Sequence, residues 1–144
     1  MTVKHLFAAA TPPPGKAVAA LAGLRIVVAL LILIHGVFRA TMGGVAPFGE
    51  WLGTQGFPVG YAWAALVTGI ELVGPLLLLA GRLVMPVALL HAFILTLGMV
   101  LVHLPFGWFV VGAGRNGMEY SVLLIAALML LAWSHHGGAA QSKR

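Results

Sequence analysis

Four apolar runs, at residues 18–40, 61–80, 83–103 and 118–134, dominate the chain. At about 1.5 Å of helix rise per residue, each reaches or approaches the roughly 30 Å of a bilayer's hydrocarbon core. Lipid offers the backbone no hydrogen bonds, so such runs close their own as helices. The expected fold is therefore all-α, an integral membrane four-helix bundle. Only 8% of the residues are charged, against roughly 25% in a soluble domain. Lys4 and Lys16 precede the first run, but its length and Arg25 within it favour a retained helix over a cleaved signal peptide. The proline-rich leader, residues 1–17, and the polar tail, 135–144, are expected to be mobile.

The net charge of +5 comes from eight Lys and Arg against three acids. These cations are scattered, which speaks against nucleic acid and for membrane topology. Lys4, Lys16, Arg82, Lys143 and Arg144 fall on one side of a four-span chain, Arg39 and Arg115 on the other. The positive-inside rule then places both termini in the cytoplasm, in a multi-pass protein of the cytoplasmic (inner) membrane. Trp51, Tyr61, Trp63, Trp108 and Tyr120 fall at the outer boundary, where amphipathic rings settle. In "PFGEWLGTQGFP", Phe48, Trp51 and Leu52 share a helical face, which predicts a short interfacial turn. The brief link around Gly81 and Arg82 makes the second and third spans antiparallel neighbours.

Depth sorts the polar residues. Counted from the cytoplasmic ends at the helical rise, Arg25 lies about 10 Å in, His91 about 12 Å and Glu71 about 15 Å, an inner layer. On the same count His35 lies about 25 Å in, with His103, Glu119 and Arg39 at the outer helix ends and Arg115 in the loop above. A charge facing lipid costs at least about 2.5–3.5 kcal/mol, so these groups turn inward and seek partners. Ala64, Thr68, Glu71 and Gly74 form a small-residue face that admits a neighbouring helix. The inner layer reads either as an Arg25–Glu71 structural ion pair or as a proton relay with His91; His91 alone reads as a hydrogen-bonded core histidine or an interfacial one, and not as a haem ligand. In the outer layer, His35, His103 and Glu119, with Arg39 and Arg115, read as a quinone headgroup site, since imidazole donates to a carbonyl and a carboxylate accepts from a hydroxyl. An outer polar lid and a two-histidine, one-carboxylate metal site are the other readings. Pro75 is expected to kink its helix and free the carbonyl of Glu71. No cysteine is present, which excludes disulfides, thiol relays and cysteine-held iron–sulfur clusters within this chain.

The succession "LRIVVALLILIHGVFR", "GFPVGYAWAALVTGIELVGPLLLLAGR" and "VHLPFGWFVVGAGRNGMEY" closely resembles the DoxX family of small four-helix membrane proteins, over roughly residues 21–133. Arg25, His35-Gly36, Glu71 with Gly74, Gly81-Arg82, His103 with Pro105 and Gly107, and Glu119 occupy the places of that family's motif. The resemblance implies a membrane bundle related to DoxD-type subunits of thiosulfate:quinone oxidoreduction and to subunits of a terminal quinol oxidase. Two classes of function follow. One is a membrane subunit of a quinone-linked system, with no intrinsic cofactor, a quinone or quinol as ligand, and a redox partner protein. The other is a non-enzymatic assembly or small-solute-binding protein whose buried charges fix helix register. Gly and Ala faces are compatible with self-association in either class.

Overall fold

A computed structural model describes residues 13–112 and 114–136. They form α1 (Pro14–Thr41), α2 (Val45–Thr54), α3 (Gly60–Leu79), α4 (Val84–Gly98) and α5 (Glu119–Ser134), with no strand among the described residues. α4 passes into a π-helical turn, Met99–His103, and a 3-10 turn, Leu104–Phe106. Three stretches are long and apolar enough to cross a membrane: α1, α3 and Val84–Phe106; α5, equally apolar, has 16 residues.

The first helix starts earlier than its apolar run. Pro13 is extended (φ −54°, ψ 142°) and Pro14 takes the first helical position, where a missing N–H forfeits no intrahelical bond. The Pro13 carbonyl accepts from the amides of Lys16 and Ala17 at 2.9 and 3.1 Å. Of the leader and tail expected to be mobile, residues 1–12 and 137–144 lie outside the described residues. At its other end α3 stops in a Schellman turn. Gly81, at φ 68°, donates to Leu78 O and Arg82 to Leu77 O, which satisfies carbonyls that the helix leaves open.

The long helices pack in a circuit, α1 on α3, α3 on α4, α4 on α5 and α5 on α1. Their apolar core gathers near the α3–α4 turn, where Val28, Ile32, Leu78, Val84, Leu128 and Leu131 meet. Outside, large apolar side chains such as Ile34, Phe38, Phe93 and Leu123 are exposed, a surface suited to hydrocarbon.

The opposite half is organised by α2. Where the sequence predicts only a short turn, a ten-residue helix lies across the start of α3. The crossing is backbone on backbone: a Cβ at Gly49 would sit 2.6 Å from Tyr61 Cα, and one at Gly60 would run into the Gly49 carbonyl. Glycine alone permits that approach. It turns Phe48, Trp51 and Leu52 inward as a roof.

Candidate functional site

Beneath that roof lies a cavity of about 620 Å³, lined by α1, α2, α3, α4 with its π-helical turn, and the start of α5, and partly open at the molecular surface. Its walls are mostly apolar, with Phe48, Trp51, Phe57, Trp63 and Phe93 the aromatic part. Five polar residues converge on it: His35 and Arg39 from α1, Glu71 from α3, His103 and Ser121.

Arg39 and Glu71 form the centre. The guanidinium Nη1 lies 2.8 Å from Oε2 and Nη2 3.5 Å from Oε1, a fork on a carboxylate. The side chains are 14% and 7% exposed, so the pair is sheltered from solvent and lipid alike. The Phe48 ring lies 4.5 Å from the guanidinium carbon, a cation–π contact. Thr68 Oγ1, which donates to Ala64 O at 2.7 Å, accepts from Arg39 at 3.4 Å. Gly36 sets this geometry. A Cβ there would lie 2.9 Å from Glu71 Cβ and 3.0 Å from its carbonyl, so α1 and α3 touch at that level. Arg39, three residues on, shares the face of Gly36 and reaches over the carboxylate.

This pairing corrects the sequence reading. Arg25 does not meet Glu71; its Nη1 donates to Leu78 O at 2.7 Å and its guanidinium lies against Gly81. Leu78 is seven residues beyond Glu71, about 10 Å along the helix. The depth count assumed that α1 and α3 end flush. With Gly36 opposite Glu71, α1 overshoots the end of α3, which leaves Arg25 as a brace on the α3–α4 turn. His91 joins neither cation. It is 1% exposed, with Nδ1 2.8 Å from Val87 O, its ring lies against Gly74, and among the described residues Nε2 has no partner. The inner layer of Arg25, Glu71 and His91 is therefore three separate environments.

The outer group is divided as well. His35, Arg39 and His103 line the cavity, whereas Glu119 and Arg115 do not. Glu119 opens α5 and turns to the preceding loop, where its Oε1 accepts the Val110 N–H at 3.2 Å. His103 Nδ1 donates to Asn116 O at 2.9 Å, which leaves Nε2 of the neutral ring as an acceptor. Among the described residues no three His, Asp or Glu side chains come together as metal ligands, so His35, His103 and Glu119 are not a metal triad. α3 runs as helix through Pro75.

Sequence reasoning placed Glu71 in the wrong layer and did not single out Phe48 or Ser121 as site residues. The usable signal for Glu71 was spacing: Gly36 and Arg39 on one helix, Thr68 and Glu71 on the next, each pair one turn apart. Together these groups offer a cation, a carboxylate and an imidazole acceptor on a largely apolar, aromatic-lined cavity, a set able both to donate hydrogen bonds to and to accept them from the polar atoms of a ligand.

The sequence model of the DoxX family matches residues 5–104, more than half of the chain and all of the cavity's polar groups except Ser121. No curated protein and no solved structure matches.

Proposed function

The chain belongs to the DoxX family, and from that premise we propose that it is a membrane subunit of a quinone-linked redox system, holding a quinone or quinol headgroup in the cavity under α2. The observation that carries this reading is the convergence of Arg39, Glu71, His35 and His103 on one largely apolar, aromatic-lined space. Arg39 would donate to a quinone oxygen, and His103 Nε2 would accept from a quinol hydroxyl. Glu71 holds Arg39 in place and supplies the acidic side of the site. Electrons would come from or go to a partner protein, because the chain has no cysteine for a cluster and no phosphate-binding motif. In this reading α1, α3, Val84–Phe106 and α5 are four spans of the cytoplasmic membrane, with both termini cytoplasmic and the cavity near the outer face.

A non-enzymatic assembly role is favoured by one specific observation, the mutual satisfaction of Arg39 and Glu71, which joins α1 to α3 whether or not a ligand is present. Mass spectrometry of lipids co-purified in mild detergent, with titration of a quinone analogue, separates the two. Co-purified quinone, and binding weakened in His103→Ala, support the redox reading. No quinone and no binding by the folded wild type overturn it in favour of assembly.

A further inference from the structure

A second hollow, of about 520 Å³, lies on the outside of the molecule between α3 and α4. Ala65, Gly69, Val73 and Leu77 of α3 face Val87 and Leu90 of α4 across it. Leu66, Ile70 and Leu90 line both this groove and the cavity, so these three aliphatic side chains are what stands between them. Leu66 and Leu90 are 51% and 42% exposed, a threshold of movable side chains and not a wall of backbone. From Leu66 to Leu77 the groove follows α3 for about 16 Å. Its lining is apolar or glycine except for His91, whose Nδ1 is engaged by Val87 and whose ring is pressed on Gly74. Gly69 leaves the middle open, since a Cβ built there meets nothing within 4 Å.

A polar ring in the cavity that belongs to a membrane-soluble molecule must lead its apolar chain out. The groove begins where the cavity ends and runs along the helices toward the opposite end of the molecule, and its lining is apolar or glycine apart from the His91 ring, which is itself 1% exposed. We infer that the α3–α4 groove is the track of a linear alkyl or isoprenoid chain whose headgroup occupies the cavity. This assignment rests on the quinone reading above and adds the chain's route and chemistry to it.

Gly69→Leu tests it. The substitution enters open space and replaces a poor helix former with a good one, so the fold is retained while the groove is filled. Two probes are titrated into wild type and variant in nanodiscs: a substituted benzoquinone without a chain, and the same ring with a decyl chain. In wild type the chain adds affinity; in Gly69→Leu that increment disappears and the chainless affinity stays unchanged. The increment is roughly three- to tenfold, because a chain moving from lipid to groove gains packing and no hydrophobic transfer. A decyl quinone carrying a terminal diazirine should label residues 65–77 or 87–91. If wild type binds both probes and Gly69→Leu weakens neither or both alike, or if the label lands elsewhere, the track is overturned while the quinone site stands. If wild type binds neither probe, the quinone reading falls and takes the track with it.

Discussion

Stranding one charge of the Arg39–Glu71 pair is the perturbation whose size the structure specifies best. Both side chains are less than one-sixth exposed, and breaking a buried pair by removing one partner costs about 3–5 kcal/mol. Arg39→Leu leaves the Glu71 carboxylate with no Lys or Arg partner among the described residues, since Arg25 is held at Leu78 O. Glu71→Leu leaves Arg39 with Phe48 and Thr68 and a position two residues from the end of α1, from which its head can move toward water. The first variant should therefore suffer more. The double variant replaces both charges with aliphatic groups and should recover most of the loss, giving a coupling energy of at least about 3 kcal/mol. The cation–π contact with Phe48 is lost in Arg39→Leu and in the double variant alike, so it cancels from the cycle. Unfolding by sodium dodecyl sulfate in mixed micelles, followed by tryptophan fluorescence, measures each corner. A parallel cycle of Arg25→Leu with Glu71→Leu should be additive, because those groups are about 10 Å apart along α3. A coupling under about 0.5 kcal/mol at Arg39–Glu71, or a larger one at Arg25–Glu71, refutes the reasoning.

Gly36→Ala places a methyl 2.9 Å from Glu71 Cβ and should cost about 1–3 kcal/mol as α1 and α3 are pushed apart; an unchanged unfolding midpoint would refute so close an approach of the two helices. Arg25→Met removes a hydrogen bond to Leu78 O worth about 1.5–3 kcal/mol, and quinone affinity of the folded variant should stay as in wild type; a parallel loss of affinity would tie Arg25 to the cavity after all. Glu119→Ala removes the acceptor of the Val110 amide, so hydrogen exchange at Val110 should speed up, while Glu119→Gln, which keeps an oxygen there, should stay protected. Equal protection in both variants would refute the loop assignment.

The apolar runs made the helices legible because hydropathy and length act locally, and the link at Gly81 and Arg82 could be read as a tight turn for the same reason. What the sequence hid was the relative height of the helices. A depth count measures each residue from its own helix end, yet side-chain partners depend on how far one helix slides past another. Here that slide is set by Gly36 against Glu71 and by Gly49 against Gly60, contacts between residues far apart in the chain. Glu71 consequently moved from Arg25 to Arg39, and Glu119 from the cavity to its loop. The start of α1 was misread for a local reason: three prolines signal a break, but Pro14 sits at the one helical position that tolerates it.

The same ion pair is asked to hold α1 on α3 and to face the ligand, and the two duties separate in the Arg39→Leu/Glu71→Leu variant. If the pair is structural alone, the double variant regains stability and whatever activity depends on a correctly packed bundle. If Arg39 also meets a quinone oxygen, stability returns and binding does not, because an aliphatic replacement packs as well but donates no proton. The expected outcome is the second: unfolding close to wild type, with quinone affinity reduced at least about tenfold, the equivalent of about 1.4 kcal/mol for one charged hydrogen bond. Recovery of both properties together would assign the buried charges to helix register and remove Arg39 from the binding site.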